Sequence, residues 1–380
     1  MGRTFRKRKL HRRLFVRDPT VRDLYSWIVS KGFRPSKCQL RLAITASGRG
    51  MVCQKPISAG DTVIDLPQSL LITKSKIRSL IPHIPGTFSA EEVLAVFLIV
   101  ELRRGFESPW LPYINSLPKK FTSPFNCSST DVLPRGIQHA FDRWRNTALQ
   151  TWQRLSNYFL SCRKEPAISE SEFTWSWCAV TTRCVFVEGH GSSLAPFLDM
   201  LNHHWTASVN TQFKDGHFVI STNRAYRSGE EVFINYGSHD NRTLLLNYGF
   251  VLDDNPNNCV PVERYHIDTL HTLERFSQFS EKMQLIEYSK LLTDQTGFTS
   301  NGATWNLVVV LDILQDCRSY SIAEWKAHIV KERGEKTVSR VEALLAKVML
   351  NDYCSGDLPD VMLNKLVRIE KKILCNNLRG

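Results

Sequence analysis

Hydrophobic and polar residues change their spacing several times along the chain, and each change predicts a different kind of element. After a basic start, VRDLYSWIVSKGF places Leu24, Trp27 and Ile28 on one helical face, and Gly32 follows as a stop. The next stretch, RLAITASGRGMVCQKPISAGDTVIDLP, is rich in β-branched residues and predicts strands separated by glycine-containing turns.

A helical block follows these strands. Ser89 and Glu92 form a capping box at the start of an apolar helix, and Gly105 is placed to end it. Strand patterns return at 216–222 (GHFVIST) and 231–237 (EVFINYG). From about Pro261 onward, apolar residues recur every three to four positions, which predicts a helical end region. The order of elements is therefore strands, a helical insertion, strands and a helical end.

Length and composition fit a globular protein of about two domains. The chain has 380 residues, with 42% hydrophobic and 23% charged residues. Its longest apolar run, at 93–100, is far shorter than the roughly 20 residues that a bilayer span needs. The basic N-terminal residues precede no apolar segment of the kind that secretory signals carry. We therefore expect neither a membrane span nor a secretory signal.

The positive charge of the chain is concentrated at its N-terminus. Residues 1–22 carry nine Lys or Arg and one acidic residue, and account for eight of the twelve net positive charges. RKRKLHRR, at 6–13, is typical of a nuclear-import signal or of a contact with nucleic acid. A solubilising tail fits the same composition equally well, so the arm alone does not decide between these roles.

Ten cysteines occur singly, and no CxxC pair is present. This spacing predicts reduced thiols and gives no sign of a zinc knuckle. A zinc site would have to draw on His203, His204, Cys178, Cys184 or His190. Adjacent histidines seldom both reach one metal, and no paired-ligand spacing supports the site, so we predict no metal.

The segment PFLDMLNHHW, at 196–205, does not fit an ordinary strand or surface loop. Its apolar run is interrupted by Asp199 and ends on Asn202, His203 and His204. Amide and imidazole groups that follow a buried run need hydrogen-bond partners. An Asn-His pair that grips a polar ligand explains the pattern best.

Two further stretches suggest chemistry. The triplet 48–50, Gly-Arg-Gly, permits close approach of the backbone to a ligand, although a plain hairpin turn fits it too. Tyr236 and Tyr248 each precede a glycine after an apolar stretch. A tyrosine at a strand end can orient a substrate, but its ordinary pKa of about 10 makes it a poor base. Core packing is the alternative for Tyr248.

Taken in order, five segments resemble the SET-domain methyltransferases. They are the triplet 48–50, WLPYINSLP at 110–118, LDMLNH at 198–203, GEEVFINYG at 229–237 and LNYGFV at 246–251. More narrowly, they resemble the class of the plant Rubisco large-subunit methyltransferase, in which a helical insertion splits the SET domain.

The resemblance implies an α+β fold. Its parts would be a SET-domain β-fold with a pseudoknot and a helical insertion at about 75–185, and an all-α C-terminal substrate-binding domain. The implied domain boundaries are a basic arm at 1–22, a SET domain at 23–255 and the helical domain at 256–380.

The resemblance also implies S-adenosylmethionine as the cofactor. The implied cofactor-binding residues are Gly48, Arg49, Gly50, Arg183, Asp199, Asn202, His203, Tyr236 and Phe250. Asn202 and His203 would bind it, with Asp199 supporting their segment. Arg183 would lie near its carboxylate, which a guanidinium suits. The stretch 107–109 and Phe250 are similar to segments that flank the adenine.

Tyr236 matches the catalytic tyrosine of the family, and Tyr248 would line the substrate pocket, whereas His204 stays outside the site. The expected reaction is in-line transfer of a methyl group to a lysine amine. A free lysine, with a pKa of about 10.4, is mostly protonated at neutral pH. Burial beside a cationic sulfonium would favour the neutral amine, and the Tyr236 hydroxyl would align the reacting groups.

The expected substrates are basic proteins, with histone tails among them. Two alternatives stay open: a protein-histidine methyltransferase of the same class, and a non-catalytic module that binds chromatin or nucleic acid through the basic arm. We further expect a monomer in the nucleus and cytosol.

Overall fold

The computed structural model describes residues 18–45, 48–122, 132–317, 324, 340–353 and 360–378. Contacts divide the chain into two compact units, Met1–Thr122 with Thr147–Ser238, and Ser123–Asn146 with His239–Gly380. Most of the predicted basic arm lies outside the described residues. The domain boundaries expected from the sequence stay predictions.

The first unit combines helices with short sheets. Its helices are α1 (Pro19–Ser30), α2 (Lys74–Leu80), α3 (Ala90–Arg104), α4 (Leu111–Ser116), the later part of α5 (Arg135–Tyr158) and α6 (Glu170–Arg183). Its strands are β1 (Leu40–Thr45), β2 (Gly48–Cys53), β3 (Thr62–Pro67), β4 (Val185–Val187), β5 (Gly191–Ser193), β6 (Asn202–His203), β7 (Val209–Lys214), β8 (His217–Thr222) and β9 (Glu231–Ile234).

The second unit is mostly helical. Besides the first part of α5, its helices are α7 (Asn241–Tyr248), α8 (Arg264–Glu274), α9 (Phe279–Tyr288), α10 (Trp305–Gln315), α11 (Arg340–Leu350) and α12 (Val361–Asn376). Its strands are β10 (Val260–Pro261), β11 (Gly297–Thr299) and β12 (Gly302–Ala303). Among the described residues, no helix is both long enough and apolar enough to cross a membrane.

One sheet of the first unit brings distant segments together. Its strand order is β1-β2-β9-β6, with β6 parallel to β9 and the other neighbours antiparallel. The pairing sets Asn202 opposite Phe233 and His203 opposite Ile234. A second sheet has the order β3-β8-β7, and β4 pairs with β5 in a hairpin. The polar end of the PFLDMLNHHW segment is therefore a strand.

Helix α1 begins two residues earlier than the apolar pattern predicts. The Asp18 carboxylate accepts the backbone N–H of Thr20 at 3.0 Å, and Pro19 occupies the first helical position, where its missing N–H is harmless. Gly32 takes a φ of +96° just after the helix, as its predicted stop requires. Residues 19–22 of the expected arm are thus helical.

Helix α3 is the buried centre of the helical insertion. Ser89 and Glu92 form the predicted capping box, and the helix ends at Gly105, whose φ is +55°. Every residue from Glu92 to Glu101 is buried, because α2, α4, α6 and β5 all pack against this helix. Helices α2 through α6 lie within residues 74–183, and the bounds of the insertion, about 75–185, stay a prediction.

The helical end region also contains a small sheet, so the expectation of an all-α domain needs this correction. A Cβ on Gly297 would lie 2.0 Å from the Val260 carbonyl oxygen, so only glycine permits β10 and β11 to pair this closely. The strands are two or three residues long. Such short strands leave no periodic signal in the sequence.

A buried ion pair links α7 to α12 within the second unit. Arg242 Nε donates to Glu370 Oε1 at 2.6 Å, and Nη2 donates to Oε2 at 2.9 Å. The Tyr353 hydroxyl donates to Glu370, and Arg242 also donates to the Gly136 carbonyl. The two charges are hydrogen-bonded on several sides, as buried charges need to be.

Removal of one partner from this pair should strongly destabilise the second unit. We expect Glu370→Ala to lower the free energy of unfolding by about 3–5 kcal/mol, because Arg242 would stay buried without its counter-charge. Asp268→Ala, which breaks the exposed Arg264–Asp268 pair, should cost about 0.5 kcal/mol. Urea unfolding of both variants tests this, and equal losses would contradict it.

Candidate active site

Asn202 is the centre of a hydrogen-bond network in the first unit. Its side-chain N–H groups donate to the Arg49 carbonyl oxygen at 3.0 Å and to Glu231 Oε1 at 2.8 Å. The side-chain oxygen has no partner among the residues that the structure describes. The network therefore holds the amide in one orientation and leaves an acceptor for a ligand.

The predicted Gly-Arg-Gly turn is the beginning of strand β2. Arg49 pairs with Ile44 and Gly50 with Ala43, and Gly48 has a φ of +94°. A Cβ on Gly50 would lie 2.3 Å from Glu231 Oε1 and 2.7 Å from Asn202 Nδ2. Glycine is needed here for close approach, as expected, but the neighbours that approach are protein side chains.

The Arg49 side chain braces this strand. Nη2 donates to the Ser116 carbonyl oxygen at the end of α4, at 3.0 Å. Burial lowers the pKa of Arg49, and the positive charge of Arg183 lowers it further, whereas Asp18 and Asp199 oppose both effects. The backbone of Arg49 thus faces Asn202 while its guanidinium joins a group of buried charges.

Asp199 is the anion of that group. Its Oδ2 accepts the Tyr113 hydroxyl at 2.9 Å, and its backbone oxygen accepts Arg183 Nη1 at 2.9 Å. Oδ1 is buried and has no hydrogen-bond partner among the described residues. Burial raises the pKa of Asp199 to about 6, although Arg183, Tyr113 and Arg49 all act to lower it.

Tyr236 and His203 contact each other at the end of β9. The backbone N–H of Tyr236 donates to His203 Nδ1 at 3.0 Å, and the two rings lie 5.1 Å apart. The Tyr236 hydroxyl donates to the Leu201 carbonyl oxygen at 2.7 Å. Because Nδ1 accepts a hydrogen bond, the proton of a neutral His203 ring lies on Nε2. The Tyr236 hydroxyl is therefore held at Leu201, the residue that precedes Asn202.

The candidate zinc ligands make other contacts. His204 Nδ1 lies 2.8 Å from the Thr206 hydroxyl, the His190 ring packs on Phe213, and burial raises the pKa of the Cys184 thiol to about 12. Within the described part of the chain, no group of three or more His, Cys, Asp or Glu side chains is arranged to hold a metal.

Tyr248 and Phe250 belong to the second unit. Tyr248 ends helix α7 instead of a strand, since Gly249 takes the left-handed conformation that closes the helix. The Tyr248 ring contacts His239 at 5.8 Å and Phe250 at 6.3 Å. Their predicted contacts with substrate and cofactor stay predictions.

The stretch 107–109 joins helices of the first unit. Ser108 Oγ donates to the buried Glu101 carboxylate at 2.7 Å, and the Pro109 carbonyl oxygen accepts the Trp27 indole N–H at 3.1 Å. Glu107 is exposed at the end of a 3-10 turn. The predicted place of this stretch beside an adenine stays a prediction.

The structure brings together eight of the predicted residues in the first unit. They are Gly48, Arg49, Gly50, Arg183, Asp199, Asn202, His203 and Tyr236. Sequence reasoning missed Tyr113 and Glu231, which bind Asp199 and Asn202. Both lie in segments that carried the resemblance, but only the long-range contacts give them a role.

Comparison with known proteins shows the family of the chain. The profile of the SET domain matches residues 48–237, which contain all eight residues of the site. The chain belongs to the SET-domain family.

Similar SET-domain proteins are found among both sequences and solved structures. SET domain-containing protein 4 of Mus musculus is 30% identical over 88% of this chain and 84% of the relative. Its Homo sapiens counterpart is 29% identical, over 83% and 77%. The crystal structure of the SET domain of LSMT bound to lysine and AdoHcy matches with a TM-score of 0.70 and 18% identity, over 95% of this chain and 91% of that chain.

More distant relatives differ in the residue that their names give as the target. Ribosomal lysine N-methyltransferase set11 of Schizosaccharomyces pombe is 26% identical over 63% of each chain. Actin-histidine N-methyltransferase of Danio rerio is 25% identical over 57% of this chain and 40% of the relative. The SET-domain fold, with its helical insertion and helical C-terminal region, is confirmed, and the chain falls in the methyltransferase class.

The Asp199 carboxyl should make stability fall as pH rises. Its pKa of about 6 in the folded chain exceeds the ordinary 3.8, so between these values the folded state keeps a proton that the unfolded state releases. Asp199→Asn removes this ionisation and keeps an acceptor for Tyr113. From pH 4 to 7 we expect the variant to gain on the order of 3 kcal/mol over wild type. Urea unfolding at several pH values measures this, and a pH-independent difference would contradict it.

Proposed function

We propose that this SET-domain protein is an S-adenosylmethionine-dependent protein-lysine N-methyltransferase. The observation that carries the proposal is that Asn202 and the Tyr236 hydroxyl are held by one continuous network, through β6, β9 and the Leu201 carbonyl oxygen. A cofactor bound beside Asn202 would therefore have a fixed position relative to Tyr236, the tyrosine that would orient the substrate.

The residues of the site suit the chemical groups of this cofactor. The side-chain oxygen of Asn202 is available to accept from a cationic amino group. Arg183 uses one Nη1 hydrogen bond internally, which leaves other guanidinium N–H groups for a carboxylate. In a buried site that also contains Asp199, both charges of an amino acid group would find partners.

The reaction would depend on orientation of the substrate amine by this chain. When bound, S-adenosylmethionine supplies a methyl group that is already activated on a cationic sulfonium. The Tyr236 phenol, held on Leu201, can align an incoming amine, and effective orientation of this kind contributes strongly to rate. Burial of the target lysine would lower its pKa, so that the neutral amine predominates.

The finer parts of the proposal concern the substrate and its location. Lysine is favoured over histidine because the similar LSMT structure contains lysine and the set11 relative is named for lysine, whereas the actin-histidine relative supports the alternative. The strong positive charge of residues 1–22 supports nuclear and cytosolic localisation and nucleic acid as a contact of the arm. Histone tails are the proposed substrates because they accompany nucleic acid in the nucleus. We propose a monomer.

Loss of Tyr236 or Asn202 should separate chemistry from cofactor binding. We expect Tyr236→Phe to lower methyl transfer roughly 100-fold, because it removes only the orienting hydroxyl. Asn202→Ala should weaken cofactor binding roughly 10-fold or more, because it breaks the network. Labelled methyl transfer to histones and cell lysate, with calorimetry of the cofactor, measures both effects.

Tyr226→Phe is the matched control, because this buried tyrosine of the same unit makes no described contact with the site. It should leave transfer and binding at the wild-type values. If wild type binds no cofactor and labels no protein, the proposed enzyme activity is refuted. Labelled histidine in place of lysine would refute the lysine assignment alone.

Gly50→Ala should disrupt the cofactor site more than Gly48→Ala. The new methyl group would displace either the Asn202 amide or Glu231, so we expect cofactor affinity to fall 10-fold or more. A Cβ on Gly48 meets nothing within 4 Å, so the positive φ alone should cost about 1–2 kcal/mol of stability. Calorimetry and thermal melts compare the two variants, and unchanged affinity in Gly50→Ala would contradict the geometry.

A further inference from the structure

Phe197 has a backbone conformation that aromatic residues rarely adopt. Its φ is +77° and its ψ is −42°, near the rare γ-turn region, and only 1% of the residue is exposed. It lies two residues before Asp199 and five before Asn202. A bulky residue stays in such a conformation only where its surroundings hold it there.

Two other aromatic rings surround Phe197. The Phe33 ring meets it at 5.3 Å and 62°, the Tyr25 ring at 5.9 Å and 59°, and Tyr25 and Phe33 meet each other at 6.2 Å. Each separation is within the range of favourable aromatic pairs. We call Tyr25, Phe33 and Phe197 the aromatic triad. Tyr25 belongs to α1, so the N-terminal helix supplies part of the anchor.

The strained turn leads directly into the active-site segment. The Phe197 carbonyl oxygen accepts the Met200 N–H at 3.3 Å, and the Leu198 carbonyl oxygen accepts the Leu201 N–H at 3.1 Å. Leu201 then supplies the carbonyl oxygen that accepts the Tyr236 hydroxyl. Before the turn, Leu194 exchanges two hydrogen bonds with Ile72, so the chain is fixed on both sides of Phe197.

The identity of the residue shows what holds the turn. If only the positive φ mattered, glycine would supply it without strain. If only apolar volume mattered, any large hydrophobic residue in a relaxed conformation would fill the space. A phenylalanine at this φ has an unfavourable backbone conformation, but its ring packs against the rings of Tyr25 and Phe33. We infer that this ring packing holds the backbone in place.

We propose that Phe197, packed against Tyr25 and Phe33, is a positioning residue. It sets the path of the chain from Asp199 to Asn202 and, through the Leu201 carbonyl oxygen, the position of the Tyr236 hydroxyl. This inference rests on the proposed function. It makes α1 a structural support of the site, and none of its residues need touch substrate or cofactor.

The test compares variants that keep or lose the ring contacts. We expect Phe197→Leu and Tyr25→Leu to lower kcat at least 10-fold and to raise the KM for S-adenosylmethionine several-fold. Tyr25→Phe keeps the ring and should stay within twofold of wild type in both constants. All proteins are assayed at temperatures well below their own melting midpoints, so that only folded protein contributes.

Phe88→Leu is the control for simple loss of a buried aromatic residue. Phe88 packs edge-on against Tyr158 at 5.7 Å in the same unit. It should lower the melting temperature and leave kcat per folded molecule unchanged. If Phe197→Leu and Tyr25→Leu behave in the same way as Phe88→Leu, the triad is only structural and the inference is wrong.

Calorimetry of wild type with S-adenosylhomocysteine distinguishes failure of the proposed function from failure of the positioning role. No binding by wild type would refute the proposed function and the positioning role with it. Binding and turnover by wild type, with unchanged kcat and KM in Tyr25→Leu, would refute the positioning role alone. Should Phe197→Leu fail to fold, the half-buried Tyr25 pair of variants decides the question by itself.

Discussion

The candidate active site depends on the two hydrogen bonds that the Asn202 amide donates. One bond links Asn202 to Arg49 in β2, 153 residues away in the sequence, and the other links it to Glu231 in β9, 29 residues away. Each buried polar group needs a partner, and this pair of bonds satisfies one amide completely on its donor side. Gly50 is required because the Glu231 carboxylate and the Asn202 amide occupy the space that a side chain would need.

The same network is connected to the buried charges around Asp199, because Arg49 accepts a hydrogen bond from Asn202 through its backbone and acts on Asp199 through its charge. Arg49 and Arg183 face a single buried carboxyl, and neither its hydrogen bond to Tyr113 nor the two cations fully offset the cost of burial. Functional sites often retain such incompletely satisfied groups at the expense of stability. The buried Arg242–Glu370 pair of the second unit shows the contrast, since both oxygens of that carboxylate have donors.

Strain and packing complete the arrangement. The segment from Phe197 to Asn202 contains three unusual features within six residues: a disfavoured φ, a carboxylate oxygen without a partner among the described residues, and the carbonyl oxygen that accepts the Tyr236 hydroxyl. None of these features would persist in a free chain. They are held because β6 pairs with β9 on one side and aromatic rings enclose the turn on the other. Rigid packing therefore converts a flexible peptide into a defined site.

The sequence by itself determined the features that depend on neighbouring residues. The capping box at Ser89, the apolar helix that follows it and the helical end region are local signals, and the ordered motifs identified the SET-domain family. Only the tertiary structure decided the bond between Tyr113 and Asp199, which are 86 residues apart, the role of Glu231 and the φ of Phe197. The short sheet at Gly297 is likewise a feature that only the tertiary structure decided. These features arise from contacts between distant segments, and no periodicity or local propensity encodes which distant group a side chain will meet.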